Sequence, residues 1–395
     1  MEVVLIGTGG AAGWPEPDCG CASCAPARAA RRIRAPAAIR LDGCLLAHLA
    51  GQPGDRLTVG GHVVRLHAGA RPGRSAYAVT GGDGAQLLYA PAGVGAEGSA
   101  DRIAPDPAAE GAFDVVVLGP GPDGIRSIGR ALAWLRASAA VTRETDVVVV
   151  GLSHDDPPPA ELDRLLAAWG ARTVPDGTAL HVRPRPAAAA PGARRMIDGP
   201  GSPRPRLRGR TLVLGGARSG KSAYAEQLLS AEPGVIYLAT GGTRADDAEW
   251  VARVAGHRRR RPAGWTTVES TDVAAVLAAA TNPVLLDCLG TWLAARVDHH
   301  GAWGDPSARD AVAAETNELV ATWRTLRVPV VAVSNEVGSG VVPATASGRL
   351  FRDLLGDLNT AIAAESETVL LSVAGLTVAL RTPELSRGSG DGTSQ

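Results

Sequence analysis

Eight residues, Gly215-Gly216-Ala217-Arg218-Ser219-Gly220-Lys221-Ser222, limit what this 395-residue chain can fold into more than any other stretch. Before them, Arg210-Thr211-Leu212-Val213-Leu214 reads as a short apolar strand. After them, Ser222-Ala223-Tyr224-Ala225-Glu226-Gln227-Leu228-Leu229 reads as a helix that opens directly on the glycines. Strand, glycine loop and helix start aim backbone N–H groups and the positive end of the helix dipole at an anion. The spacing GxxxxGKS places a lysine at the β- and γ-phosphates of a nucleoside triphosphate and a serine hydroxyl on its Mg²⁺. Lys221 is the only lysine among forty Lys and Arg residues. Arginine is a planar fork suited to bidentate clamping, whereas lysine is a compact charge on a thin stem that enters a tight loop. A chance glycine-rich turn is the competing reading, and the flanking strand and helix count against it.

The length suggests two domains, each able to bury its own core. Formal net charge is zero and aromatics make up 4% of residues, so nothing global points to nucleic acid as a partner. Met1-Glu2-Val3-Val4-Leu5-Ile6-Gly7 has neither the basic start nor the long apolar core of a signal peptide, and no apolar run reaches membrane-spanning length. A cytoplasmic protein without membrane insertion is expected.

Residues 183–209 are rich in Pro, Arg and Ala without helical or strand periodicity, and read as a semi-extended linker. Their arginines lack interleaved aromatics, which favours a solvated tether over a nucleic-acid patch. Residues 383–395 are expected to be a disordered tail. Between them, in residues 210–382, near-continuous apolar runs such as Val235-Ile236-Tyr237-Leu238-Ala239, Pro283-Val284-Leu285-Leu286-Asp287 and Thr368-Val369-Leu370-Leu371-Ser372-Val373 alternate with helical stretches. That pattern predicts an α/β domain with a mostly parallel sheet and helices on both faces. Residues 1–182 instead carry many short strands with few helices before residue 125, as in an α+β or sandwich-like module.

Asp287, ending its apolar run, is placed like the second acidic residue that holds Mg²⁺ through water in phosphate-loop folds; a strand-end cap is the plainer alternative. Further along, His257 is followed by Arg258, Arg259, Arg260 and Arg261. An imidazole can attack an α-phosphate, and adjacent guanidiniums can neutralise the transition state and the departing pyrophosphate. Chemistry alone leaves this open against an exposed basic helix end.

Taken together, the glycine loop, Tyr237-Leu238-Ala239-Thr240, Arg253 with His257 and the Arg-Pro-x-x-Trp ending at Trp265, Leu286-Asp287-Cys288-Leu289, and Ser334-Asn335-Glu336-Val337-Gly338-Ser339-Gly340-Val341-Val342-Pro343 carry a resemblance. They resemble the bifunctional adenosylcobinamide kinase/adenosylcobinamide-phosphate guanylyltransferases, over roughly residues 210–381. The resemblance implies a P-loop, RecA-like domain that phosphorylates adenosylcobinamide with ATP or GTP. The enzyme then passes GMP from GTP, through a GMP-histidine, to the new phosphate, giving adenosyl-GDP-cobinamide. It assigns the nucleophile to His257 and a catalytic cation to Lys221. Nucleotide contacts fall to Gly215, Gly216, Ala217, Arg218, Ser219, Gly220, Lys221, Ser222, Thr240, Gly241, Gly242, Arg258, Arg259, Arg260, Arg261, Glu269 and Asp287, with Mg²⁺ on Ser222 and Asp287. It also implies a homo-oligomer, commonly a trimer; the Asn335–Pro343 segment receives no step.

The N-terminal Val3-Val4-Leu5-Ile6-Gly7-Thr8-Gly9-Gly10-Ala11-Ala12-Gly13-Trp14-Pro15, followed by Cys19-x-Cys21-x-x-Cys24, resembles the start of phosphodiesterase-like metallo-β-lactamase-superfamily proteins, whose fold is an αββα sandwich. Their HxHxDH metal motif is absent, and His48, His62 and His67 are isolated. In a cytosolic chain, the cysteine spacing argues for metal before disulfides. The resemblance adds His154, in Val150-Gly151-Leu152-Ser153-His154, as the fourth ligand of a structural Zn²⁺ beside Cys19, Cys21 and Cys24, in a domain that has lost its catalytic site; free thiols after loss of the metal are the alternative. Two other functions stand against the transferase: a different small-molecule kinase in which His257 is structural, and a nucleotide-switched regulatory protein.

Overall fold

A computed structural model describes residues 1–46, 49, 51–68, 75–93, 112–184, 207–242, 255–256, 261–262 and 264–383. The chain forms two compact units, one of residues 1–207 with 227–233 and the other of residues 208–226 with 234–395.

In the first unit the elements are β1 (Glu2–Gly7), α1 (Cys24–Ala29), β2 (Ala38–Leu41), β3 (Cys44–Leu45), β4 (Arg56–Val59), β5 (His62–Ala68), β6 (Ser75–Thr80), β7 (Gln86–Ala90), β8 (Val115–Leu118), α2 (Ile125–Ala137), β9 (Asp146–Val149), α3 (Pro159–Ala168), β10 (Ala171–Arg172) and β11 (Thr178–His181). They build two sheets, a four-stranded antiparallel one in the order β11-β1-β2-β3 and a seven-stranded one in the order β10-β9-β8-β7-β6-β5-β4. Strands β4 to β7 run antiparallel and β7 to β10 parallel. The strand period of two explains the layering. Val3, Leu5, Ile39 and Leu41 of the small sheet join Val64, Leu66, Tyr77, Val79, Leu87, Tyr89, Val115 and Val117 of the large one in a single core. Val116 and Leu118, pointing the other way from β8, are fully buried as well. The large sheet is therefore covered on both faces there, and Ile128, Leu132 and Leu135 form a buried stripe on α2.

The second unit contains β12 (Arg210–Gly215), α4 (Lys221–Leu229, whose last three residues are grouped with the first unit), β13 (Ile236–Ala239), β14 (Thr266–Glu269), α5 (Val273–Ala278), β15 (Val284–Asp287), α6 (Leu289–His299), α7 (Arg309–Thr325), β16 (Val330–Asn335), α8 (Ala346–Ala364), β17 (Thr368–Val373) and β18 (Leu376–Arg381). Its sheet runs β14-β13-β15-β16-β12-β17-β18, parallel throughout except for β18 at the edge. Leu212, Leu286 and Val330 of the sheet share one core with Val273, Trp292, Trp323, Leu355 and Leu358 of α5 to α8. On the opposite face Val213, Leu285 and Val331 are buried outside that core, as are Tyr224 and Ala225 of α4. The expected mostly parallel, doubly covered sheet is present. Ala374 and Gly375, both at positive φ, join β17 to β18, in the two-residue turn whose twist suits adjacent antiparallel strands.

Candidate functional site

Parallel strands end together, and the ends of β12 to β16 bring the nucleotide-site residues to one rim of the sheet. Gly215 on β12 pairs with Asn335 on β16, and Ala239 on β13 pairs with both Glu269 on β14 and Asp287 on β15. In open α/β sheets ligands bind at this carboxyl end, where neighbouring connections diverge. The loop between β12 and α4 is tightly folded. A Cβ on Gly215 would lie 2.5 Å from Ser219 Oγ and 2.6 Å from the Ser372 carbonyl oxygen, so only glycine fits. Arg218 and Gly220 take positive φ, and the Gly375 N–H donates to the Ser219 carbonyl at 3.0 Å. Lys221 Nζ lies 3.1 Å from the Gly216 carbonyl, its ammonium folded over the loop where phosphates would displace that contact.

Ser222 and Asp287 meet across the rim, with Ser222 Oγ donating to Asp287 Oδ1 at 3.4 Å. This pair of oxygens is a donor set that suits a hard divalent cation. The Tyr237 hydroxyl donates to the other carboxylate oxygen at 2.7 Å. Burial above all, and then the Asp287 carboxylate, push the Tyr237 phenol well above its ordinary value, so it remains a donor. Arg261 lies over the Tyr237 ring, its guanidinium carbon 3.1 Å from the ring centroid, and donates to Thr267 Oγ1 at 3.2 Å. Burial lowers the Arg261 guanidinium from its usual value, against the pull of Tyr237, Glu226 and Asp287.

Thr240, fully enclosed at the end of β13, spans to the next loop: its Oγ1 lies 2.7 Å from both the Cys288 carbonyl and Thr291 Oγ1 and accepts from the Cys288 N–H at 3.1 Å. Gly241 and Gly242 follow it, and Glu269 ends β14 on the far side of β13. Burial, then Asp287, raise the Cys288 thiol, so it is a packing group beside the site. Asn359 of α8 accepts from Ser334 Oγ at 2.6 Å and donates to the Asn335 carbonyl at 3.0 Å, which fixes the end of β16. The Glu336 N–H donates to the Gly215 carbonyl at 3.2 Å, so the Asn335–Pro343 segment begins against the phosphate loop. Arg253, His257, Arg258, Arg259 and Arg260 lie outside the described residues.

Sequence reading gave Tyr237 and Glu226 no role. Glu226 sits one helical turn beyond Ser222, hence on the same face of α4. Tyr237 is a phenol inside an apolar strand, and a buried hydroxyl needs a partner.

In the first unit, one ligand atom from each of Cys19, Cys21, Cys24 and His154 falls within 4.8 Å of all the others. His154 Nδ1 is 3.4 Å from Cys19 Sγ and 3.7 Å from Cys24 Sγ. With Zn–S of about 2.3 Å and Zn–N of about 2.0 Å, tetrahedral ligands sit roughly 3.5–3.8 Å apart, so the set fits zinc. Backbone N–H groups of Cys24 and Ser23 lower the Cys21 thiol to about 7, while burial raises that of Cys24. His154 Nε2 lies 3.4 Å from Asp155 Oδ1, the carboxylate contact that commonly orients a metal-bound imidazole. Apart from this set, His62 pairs with Asp42 at 2.8 Å, His67 is buried in β5, and His48 lies outside the described residues.

Residues 211–380 match the family model described as cobinamide kinase / cobinamide phosphate guanyltransferase. The bifunctional adenosylcobalamin biosynthesis protein CobU of Escherichia coli is 38% identical over 43% of this chain and 98% of its own length. The corresponding CobP protein of Pseudomonas aeruginosa is 42% identical over 44% of this chain and 97% of its own. A solved structure, the flagellar accessory protein FlaH from Methanocaldococcus jannaschii, aligns at 10% identity over 45% of this chain and 81% of its own, with a TM-score of 0.25.

Proposed function

The chain belongs to the cobinamide kinase / cobinamide phosphate guanyltransferase family through residues 211–380, and from that premise we propose how its own residues divide the two reactions. It is a kinase and a guanylyltransferase of cobalamin biosynthesis. One observation carries the reading: a GxxxxGKS loop and an acidic strand end face each other on the rim of a parallel sheet, with Ser222 and Asp287 3.4 Å apart.

In the kinase step the loop N–H groups and Lys221 hold the β- and γ-phosphates of ATP or GTP. A cobinamide hydroxyl attacks the γ-phosphorus, and the bond to the leaving diphosphate breaks. Ser222 and Asp287 would hold Mg²⁺, whose charge offsets that of the phosphates. Tyr237 fixes one oxygen of Asp287 and seats Arg261 beside the site. In the second reaction neutral His257 attacks the α-phosphorus of GTP and pyrophosphate leaves. A phosphate oxygen of cobinamide phosphate then displaces the histidine. Splitting the transfer gives two displacements, each with a good leaving group. Arg258 to Arg261 stabilise the pentavalent charge, and Thr240, Gly241, Gly242 and Glu269 line the nucleotide. A homo-oligomer, tested by light scattering, belongs to the same proposal.

Incubation with GTP labelled at the α-phosphorus should leave acid-labile label on the wild-type chain and none on His257→Ala. Full labelling of the variant removes His257 as the nucleophile, and absence of label from the wild-type chain returns it to a simple kinase.

For the first unit we propose a metallo-β-lactamase-like sandwich without catalytic metal, in which Cys19, Cys21, Cys24 and His154 hold a structural Zn²⁺. Four protein ligands leave no open position for a substrate, which suits a stabilising site. Metal analysis should find one zinc per chain, and a metal-free purified protein would refute the site.

A further inference from the structure

A cavity of ≈ 960 Å³ opens in the first unit beside the cysteine cluster, with Cys21 and His154 in its wall. Trp14, Ile33, Leu152 and Leu162 give it an apolar lining. Arg32, Arg34, Asp156, Asp163 and Asp176 also line it; Asp156 accepts from the Ser153 N–H at 2.7 Å, both Asp176 oxygens are engaged by Thr8 and Ala35, and Arg32 is exposed.

Arg34 is held on a rigid frame. Its N–H donates to the Trp14 carbonyl at 2.7 Å, and its carbonyl accepts from the Trp14 N–H at 2.9 Å. Gly9 and Gly13 allow this approach, since a Cβ on either would meet the Arg34 carbonyl oxygen within 2.9 Å. Nη1 donates to Thr8 Oγ1 at 2.9 Å and to the Val174 carbonyl at 3.2 Å. Thr8, wholly enclosed, donates a hydrogen bond to Asp176 Oδ1 at 2.7 Å, and the other Asp176 oxygen accepts from the Ala35 N–H at 2.5 Å. Nε and Nη2 make no hydrogen bond among the described residues, and Arg34 lines the cavity. Asp163, exposed on α3, interacts electrostatically with Arg34 yet makes no hydrogen bond or ion pair among the described residues.

A guanidinium edge and a carboxylate thus share one cavity without closing on each other. A carboxylate ligand would satisfy Arg34 but be repelled by Asp163, and an amine the reverse. An amino acid meets both, at the cost of moving two charges from water into a mainly apolar space. We propose that the cavity is a binding site for a primary carboxamide on an apolar body. Its oxygen accepts from Nε and Nη2 of Arg34, its NH₂ donates to Asp163, and its carrier packs on Trp14, Ile33, Leu152 and Leu162. The site belongs to the first unit alone and stands whether or not the transferase reading holds.

Ligand-observed NMR titration of the full chain with hydrocinnamamide, hydrocinnamate, phenethylamine and phenylalanine tests this. Hydrocinnamamide should bind at least tenfold more tightly than the other three. Both Arg34→Gln and Asp163→Ala should weaken it by tenfold or more; the second removes an exposed side chain and keeps the proposal testable if the first misfolds. Tighter binding of hydrocinnamate, strengthened by Asp163→Ala, would make this an anion site and overturn the proposal. So would a preference for phenylalanine or phenethylamine, or no amide binding at all.

Discussion

Tyr237 sits where a polar contact, a ring face and the carboxylate proposed to hold Mg²⁺ converge. Its hydroxyl orients Asp287 and its ring carries Arg261. A hydrogen bond to a charged partner contributes about 1.5–3 kcal/mol, so Tyr237→Phe should raise KM for the Mg²⁺-nucleotide about tenfold at limiting Mg²⁺. Excess Mg²⁺ should recover part of the loss, because Arg261 keeps its ring; steady-state kinetics against metal concentration measure both. Lys221→Arg replaces a compact ammonium with a fork in a loop whose first glycine tolerates no Cβ. Both half-reactions should fall by roughly 10²–10³, the usual scale for losing one preorganised charge contact; near-normal guanylyl transfer in that variant would contradict the role given to the loop. The phosphate loop and Asp287 were legible in the sequence because their chemistry depends on residue type at short spacing. Tyr237 with Arg261 and Glu226 was not, since nothing in the spacing of three separate segments tells which side chains stack.

Strand β12 begins on an ion pair as well as on apolar packing. Arg210 donates to Glu367 through Nη2 at 2.6 Å and Nε at 3.2 Å, and its backbone N–H adds a third bond at 2.6 Å. Burial pushes the Glu367 carboxyl up, but these hydrogen bonds outweigh it and hold the group below the usual carboxylate value. A depressed folded value means the stability is present above about pH 4.3, the ordinary glutamate value, and is lost as pH falls through the folded one. The pair is partly solvated, which limits it to about 1 kcal/mol or less. Glu367→Gln should therefore unfold at lower urea than wild type at pH 7 and match it in strong acid; an equal deficit at both pH values would show that the loss is not ionic. At this scale the strand–helix alternation of residues 210–382 was readable from near-continuous apolar runs. The pairing of Arg210 with a residue so far along the chain was not, because it depends on β17 lying beside β12.

The two units call for separate readouts. If Cys19, Cys21, Cys24 and His154 hold zinc, ligand binding to the folded state alone adds to its stability. Chelation should lower the unfolding midpoint of the first unit by at least about 5 °C, as loss of ~2 kcal/mol does in a domain of this size, while guanylyl transfer continues at its former rate. Differential scanning calorimetry with parallel activity assays separates the outcomes; loss of both together would tie the metal to the transferase. The cysteine cluster was legible from its spacing, but the cavity beside it was not, since its walls combine loops with residues of α1 and α3 that are far apart in the chain. One contact carries a different consequence. The turn at Gly375 donates to the Ser219 carbonyl, so the phosphate loop is shaped by a hairpin that the ribosome delivers long afterwards. At roughly 5–20 residues per second, the lysine, glycines and serine exist for about ten seconds or more before the strand that holds them in place. During that interval the newborn chain carries its nucleotide motif before the turn that contacts it has been made.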